Sequence, residues 1–500
     1  MTRMRASTVA AALLFPLATR AAAEDRPWIE VRSPRFTVVS QSGEKSARDM
    51  AWQFEQVHSV FSRAYPWARL ESGRPFIVLA VRNEKALREL SPQFWERWNM
   101  RAAAAFVTDA GQDFVAIRTD VAGSDDAGEN PYSTAYEGYV DIVLNASFPG
   151  QLPFWFQRGL REFFGNTLVR EKDVHIGRLI KRHLERLNAG SRYSLPELMA
   201  IDADSRSYRE EGDRRVFEAQ SWLLVHYLFF GENGANLPKL NRYADLLRGG
   251  RSGPDAFREA FGDVEPLEKG FNLYLSRQLY RYTQLNLDVN VDRASFRSRP
   301  VPPPEADALR AAFLSAMQEP PAAARALAEG ALKADPRQPL AFEVMGLMAD
   351  DEKRTDDART AFAQAVENGS QSYWAHYRLA QLLWKPDNDR ATRERIAQAL
   401  EKATQLNPDH AWSFRYLADT RVNLEDAAGA MEPARKAVLL APGEPWHRRT
   451  LARVLGHAGQ LDAAQQEAGR ALALSKDEEN KRQSREMLVW LAKKREAATP

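Results

Sequence analysis

Cysteine is absent from all 500 residues. That excludes disulfides, thiol nucleophiles and thiolate metal sites, so the fold must rely on its core. An excess of charge is also lacking: 69 Lys and Arg face 67 Asp and Glu, for a net charge of +2. Such a balance argues against nucleic acid as a partner recognised by bulk charge. Beyond the N-terminus no hydrophobic run reaches membrane-spanning length. Histidine is scarce, with 8 in all, and no two stand three or four apart, the spacing at which one helix face offers two imidazoles to a metal. His175 and His183 are too far apart on a helix, about 12 Å, to share an ion. There is no Gly-x-Ser-x-Gly elbow and no Walker-type phosphate loop.

The N-terminus has the layout of a secretory signal. Arg3 and Arg5 precede the apolar run from Thr8 to Thr19, and Ala21-Ala22-Ala23 offers small residues for cleavage. The pattern predicts a signal peptide over 1–23, removed after about Ala23. The run is too short for a permanent span, and no Cys precedes Glu24 to take a lipid. The mature protein is therefore expected to be exported, periplasmic or extracellular, with no membrane span.

Residues 27–40 alternate as a strand pair broken at Ser33-Pro34. Ala47, Met50, Phe54, Val57, Phe61 and Ala64 recur at helical spacing. Residues 76–82 read as a buried strand, Asn83 as the cap of a helix over 84–90, and 103–108 with 114–118 as a hairpin. A small sheet thus precedes two amphipathic helices, 131–147 and 152–165, separated by the breaker Phe148-Pro149-Gly150.

These helices hold Tyr136-Glu137-Gly138-Tyr139-Val140-Asp141 and Trp155-Phe156-Gln157-Arg158-Gly159-Leu160-Arg161-Glu162-Phe163-Phe164-Gly165. The stretch resembles bacterial secreted proteins of the peptidase-MA-like, gluzincin-type family. Those carry Tyr-His-Glu-Tyr-Val-His, a Phe-Pro break and Trp-Leu-Asn-Glu-Gly-Leu-Ala-Glu-Phe-Phe-Gly. In the family two His and a Glu hold Zn²⁺, and the Glu after the first His is the general base. The resemblance, over about 26–285, implies a gluzincin-like α+β domain with its site degenerate. Glu137 and Asp141 replace the ligand His, Gly138 the general base and Arg158 the ligand Glu, while Glu162 keeps its type. It implies no metal, no cofactor and no conventional zinc hydrolysis. Either Arg158 lies against Glu137 and Asp141 in place of the metal's charge, or the three are solvated. A further alternative is an active metallopeptidase with an atypical metal site at Glu137, Asp141 and Glu162.

After Gly165 helices are expected over 176–188, 194–201, 216–231, 237–248, 254–261 and 265–284. Segment 216–231 is apolar nearly all round and so central; its Gln-Ser-Trp and Val-His-Tyr-Leu also resemble the family. His226 within it reads as a hydrogen-bonded core residue. The arginine clusters at 178–186 and 206–215 read as solvated, locally paired faces. Residues 291–304, ending in three prolines, read as a linker.

From 305 the sequence repeats with a period of 34, apart from about four extra residues near Lys385-Pro386-Asp387-Asn388. Small or apolar residues recur at position eight (Ala312, Gly346, Ala380, Ala418, Ala452), at position twenty (Ala324, Ala358, Ile396, Ala430, Ala464) and at position twenty-seven (Ala331, Ala365, Ala403, Ala437, Ala471). The array resembles the tetratricopeptide repeat: five units over 305–477, then a capping helix and tail over 478–500. Trp374, Trp412 and Trp446 share position two, expected to face the concave groove as a peptide platform or to pack between units.

The chain is thus expected to be a degenerate peptidase-MA-like domain (24–290), a linker (291–304) and an all-α solenoid. The function expected is a non-catalytic scaffold holding a protein or peptide. An N-domain that merely caps the solenoid is the plainer possibility.

Overall fold

A computed structural model describes residues 27–498 apart from 65–67, 71–72, 99–103, 110, 122–128, 149–151, 191 and 287–290. The expected signal peptide and most of the Phe148-Pro149-Gly150 break lie outside these.

The N-terminal half runs β1 (Ile29–Arg32), β2 (Thr37–Ser40), α1 (Glu44–Ala64), β3 (Phe76–Val81), α2 (Glu84–Leu90), α3 (Pro92–Trp98), β4 (Ala104–Thr108), β5 (Asp113–Arg118), α4 (Ser133–Ser147), α5 (Phe154–Gly165), β6 (Leu168–Val169), β7 (Asp173–Ile176), α6 (Lys181–Ala189), α7 (Leu195–Ala200), α8 (Arg206–Arg209), α9 (Glu211–Phe230), α10 (Leu237–Arg248), α11 (Gly253–Phe261), α12 (Val264–Leu275), β8 (Thr283–Asn286) and β9 (Arg297–Pro300). Helix pairs follow: α13 (Pro303–Ala316) with α14 (Pro321–Ala334), α15 (Pro339–Asp351) with α16 (Thr355–Glu367), α17 (Tyr373–Leu383) with α18 (Arg390–Leu406), α19 (Ala411–Asn423) with α20 (Ala427–Leu440) and α21 (Pro445–His457) with α22 (Leu461–Leu474); α23 (Glu478–Ala498) closes the array.

The main sheet has the order β4-β5-β3-β2-β1-β9. Strand β3 lies parallel to both β2 and β5, and the outer pairings are antiparallel. Both faces are covered, which is why β3 reads as an unbroken apolar run. Val31, Val38, Val78, Val115 and Ile117 face α1 and α4 in one core. Val39, Leu79, Val81, Phe114 and Ala116 face the other way, into a core shared with α13, α14 and α15. The edge of Phe313 meets Phe114 at 5.9 Å between ring centroids. The first repeats are thereby bolted to the sheet.

Residues 291–304 are therefore not a linker. Strand β9 pairs antiparallel with β1, and Val301 N–H donates to Trp28 C=O at 2.8 Å. Its side chains show no alternation because the strand is an edge whose pairing rests on backbone hydrogen bonds. Arg299 holds Glu30 at 2.7 Å and Glu305 at 2.5 Å. Pro302 is the N-cap of α13, and Pro303 and Pro304 open its first turn, where a missing N–H costs nothing.

The expectation that the chain is wholly helical after Gly165 also needs correction. A three-stranded sheet, β6-β7-β8, draws in Asp173–Ile176 and Thr283–Asn286, at the margins of two expected helices. Strands of two to four residues are too short for their periodicity to show. The helix expected over 265–284 ends at Leu275, and Arg178, expected in a solvated cluster, is buried; the following expectations match. Asn83 Oδ1 accepts the Ala86 N–H at 3.0 Å. His226 donates and accepts within the core, with Tyr274 Oη at 2.8 Å and Gly177 C=O at 2.9 Å. Arg206 and Arg209 pair locally with Glu210 and Asp204.

In the array the small residues at positions twenty and twenty-seven are buried in all five units. Gly346 lets the Phe362 ring approach to 3.0 Å of where a Cβ would stand. By period, helix pairing and these close approaches the solenoid is of the tetratricopeptide type.

Glu319, in the α13–α14 turn, ties the repeats to the N-terminal half a second time. It accepts from Ser91 Oγ at 2.5 Å, Phe94 N–H at 2.9 Å and Gln93 N–H at 3.2 Å, serving the open N–H groups at the start of α3. Glu319→Ala is expected to lower unfolding free energy by about 3 kcal/mol in urea titration, because buried donors lose their acceptor. Glu319→Gln, which keeps one oxygen, should lose about half of that.

Candidate functional site: the ion cluster and the repeat groove

Helices α4 and α5 form an antiparallel pair, and Asn130 and Asn166 fasten its open end. Asn166 Oδ1 accepts the Asn130 N–H at 2.8 Å, and Asn130 Nδ2 donates to Thr167 C=O at 2.6 Å. On α4, Glu137 and Asp141 lie one turn apart and face α5. The cation between them is Arg161, not Arg158. Arg161 donates to Glu137 Oε2 at 3.0 Å and reaches Asp141 Oδ2 at 3.3 Å. Arg158, three residues earlier, points aside and lies over the Phe154 ring at 5.0 Å and the Tyr208 ring at 5.5 Å. An aromatic shelf one turn back on α5, completed by α8, holds that guanidinium by cation–π attraction.

The atypical metal site fares no better. Glu162 is turned to His183 Nε2 at 3.1 Å and Arg182 at 3.5 Å, while Arg161 occupies the space between Glu137 and Asp141. Among the described residues no group of three His, Asp or Glu could hold a metal ion. The side chains present do not fit zinc either, since it needs neutral imidazoles or carboxylates converging on an open position.

Gly138 has a structural reason. A Cβ there would meet the Phe106 ring of β4 at 2.1 Å. The place where the resemblance puts the general base is filled by an aromatic ring. Gly165 serves likewise, since a Cβ there would stand 2.4 Å from Glu137 Cγ.

The electrostatics are those of a packed ion cluster. Burial, and then the Glu162 charge, push the Glu137 carboxyl above its usual range, against the pull of Arg161. Burial raises Asp141 too, opposed by Arg161 and Arg158. Burial would also raise Glu162, but the His183 hydrogen bond and charge, with Arg182, hold it low. Burial works against the Arg161 charge, yet Glu137 and Asp141 raise its affinity for the proton.

The repeat groove is divided. Trp374 does not line an open platform: a Cβ on Gly111, in the β4–β5 turn, would come within 2.7 Å of Trp374 Cβ. Beside it Arg69 pairs with Asp409, and Arg74 Nη1 donates to Tyr373 Oη at 3.4 Å. The N-terminal half thus fills the proximal part of the concave face. Trp412 and Trp446 line an open cavity of about 610 Å³ with Trp384, Arg415, Arg449 and Arg453, which α23 closes through Gln483 and Met487. Arg415 lies over the Tyr416, Trp446 and Trp412 rings at 4.4, 5.2 and 5.7 Å, and Arg449 over Trp446 at 4.2 Å. Asp419 accepts from Arg415 at 3.2 Å, Arg453 at 3.3 Å and Thr450 at 3.1 Å.

Position two alone pointed to the tryptophans and missed these arginines. The signal was present. Arg415 and Arg449 stand at position five of their units, and Asp419 and Arg453 at position nine. Positions two, five and nine form one helix face.

No family model matches the chain, and no curated protein matches it. Among solved structures it is similar to MamA, at 22% identity over 31% of this chain and 81% of that one, with a TM-score of 0.27. It is similar to YrrB, described as a TPR protein with an unusual peptide-binding site, at 17% identity over 35% of this chain and 87% of that one, with a TM-score of 0.31. The pilF protein of Pseudomonas aeruginosa is 16% identical over 38% of this chain and 88% of that one, with a TM-score of 0.28. Likeness at this level leaves the repeat assignment standing on the chain's own helix pairs.

Two outcomes test the cluster. Gly138→Ala is expected to cost about 3 kcal/mol of stability, falling below about 1 kcal/mol when Phe106→Ala is already present. Denaturant unfolding of the four proteins measures that coupling. Arg161→Met should cost about 3 kcal/mol near pH 8 by stranding two buried carboxylates. Glu137 has a folded-state affinity for protons above its unfolded one, so stability returns as pH falls through its raised value towards the usual carboxylate range. The Arg161→Met deficit in unfolding midpoint should therefore be smaller near pH 5.5 than near pH 8.

Proposed function

We propose that this chain is an exported, non-catalytic scaffold that holds a protein segment in the distal half of its repeat groove. The observation carrying the proposal is the open cavity with Trp412 and Trp446 in its wall, in an array whose proximal groove is already occupied by the chain itself. Aromatic side chains in a concave surface offer large contact area at small entropic cost. The N-terminal half is, in this reading, a metallopeptidase-type domain retired from catalysis. Arg161 between Glu137 and Asp141, and Phe106 against Gly138, support that. The same half caps the solenoid, since the sheet covers the apolar face of α13. Export rests on the charged, apolar and small-residue order of the first 23 residues. No helix among the described residues is long and apolar enough to cross a membrane.

Selection of a random peptide library, roughly 12 residues long, on the immobilised protein tests the groove. Enriched sequences should bind in solution and lose at least about tenfold in affinity on Trp412→Ala or Trp446→Ala. If no sequence is enriched, or if binding is indifferent to both substitutions, the reading fails.

A further inference from the structure

We infer that the segment held in the distal groove is acidic: its Asp or Glu side chains meet Arg453 and lie in the positive field of Arg449 while an apolar side chain lies on Trp412 and Trp446. This inference rests on the peptide-holding reading of the same groove and names the chemistry of the occupant.

The charge balance of the cavity wall is the first argument. Three guanidinium groups, of Arg415, Arg449 and Arg453, share it with one carboxylate, that of Asp419. Asp419 is already taken by Arg415 and Arg453, and the second Nη of Arg453 turns to Asn423 Oδ1 at 2.5 Å. The wall therefore carries positive charge in excess.

Arg449 is the second. It is 5% exposed. Its hydrogen-bond acceptors are all neutral: Asn480 Oδ1 at 2.9 Å, Gln483 Oε1 at 3.0 Å, Asn480 C=O at 3.3 Å and Ser484 Oγ at 3.3 Å. Glu444, Asp477 and Glu479 act on it from a distance, and among the described residues no carboxylate forms an ion pair with it. Burial, and next the facing charge of Arg415, pull Arg449 below the ordinary guanidinium range. A buried cation held by neutral dipoles beside a like charge is costly, and an arriving carboxylate offsets that cost. The guanidinium is already oriented by four acceptors and by the Trp446 face, so little side-chain entropy remains to be lost on binding.

The third argument is contrast within one array. The proximal part, with Asp409 beside Tyr373 and Trp374, receives Arg69 and Arg74 of the N-terminal half. The turn before α19 thus accepts a basic loop where its charge is acidic. In the fourth and fifth units, with the tryptophans in register and positive charge in excess, the complement is an acidic segment. His447 at the floor, 0% exposed and against Trp412 at 4.9 Å, is neutral, being pushed down to about 4 by burial and then by Arg415 and His410. It adds no charge to the balance.

Three synthetic libraries decide the matter, alike in randomised apolar positions and with polar positions holding only Glu, only Gln or only Lys. Fluorescence anisotropy with the full-length mature chain at about 50 mM salt should show the Glu library binding at least about tenfold more tightly than the Gln library, and the Lys library most weakly. The Glu preference should shrink at about 500 mM salt. Arg449→Gln and Arg453→Gln should each weaken Glu-library binding by about fivefold or more, and should narrow its advantage over Gln-library binding. Arg449→Lys, which keeps the charge, guards against a folding defect and should retain most of the preference. Equal binding of the Glu and Gln libraries, still abolished by Trp446→Ala, would overturn the acidic occupant and leave the peptide groove standing. Binding by none of the libraries would overturn both.

Discussion

The sheet is buried on both faces, and the rest of the molecule follows from that. Side chains alternate along β2, β3 and β5, so each strand contributes to two cores at once. One core takes the helices that carry the ion cluster. The other takes α13 and its neighbours and fixes the solenoid to the sheet. A repeat array joined by a flexible tether would present its whole concave face. Here the first helix pair cannot leave the sheet without exposing Phe114, Leu79 and Phe313, and the β4–β5 turn is carried onto Trp374 by the same attachment. The division of the groove is therefore a consequence of the core and not of a separate docking event.

The cluster on α4 and α5 shows how two like charges on one helix face are held in a packed interior. Two carboxylates on one helix face, facing a second helix, need a cation. Arg161 supplies it with two hydrogen-bond vectors and a fixed charge. A guanidinium there leaves no open coordination position between the two carboxylates. Such a buried pair contributes little net stability beside an apolar replacement, yet breaking it is costly. Phe106 fixes the glycine at position 138, because its ring occupies the space a Cβ would need.

Most of the scaffold was legible in the sequence because burial leaves a periodic trace. The strand run at 76–82, the capped helix after Asn83, the paired helices and the three small or apolar positions recurring through five units all carry one. Strand β9 does not: an exposed edge strand of Arg297, Ser298, Arg299 and Pro300 is selected for backbone pairing, and its side chains say nothing of a sheet. The prolines after it looked like a stiff linker and are a helix start. Within the site, the choice between Arg158 and Arg161 turned on which way a helix faces its partner. That orientation is set by the close contact of Gly159 with the Ser221 carbonyl on α9, a tertiary fact. Trp374 shared its unit position with Trp412 and Trp446, but the hairpin that covers it comes from more than 250 residues away in sequence.

That covered tryptophan is informative about its exposed counterparts. In the third unit the face made by Trp374 and Tyr377 is satisfied inside the chain, with a glycine turn over the indole and an arginine loop against the neighbouring acid. The third unit thus holds chain from the N-terminal half by apolar contact at Trp374 and by opposite charge at the turn before α19. In the fourth and fifth units the tryptophan is repeated, and Arg415, Arg449 and Arg453 stand at positions five and nine, where the third unit has the neutral Tyr377 and Gln381. The N-terminal half offers nothing acidic that reaches them among the described residues, and α23 closes the cavity with neutral groups. The charge of the second part of the groove is thus unmatched by the groups that line it.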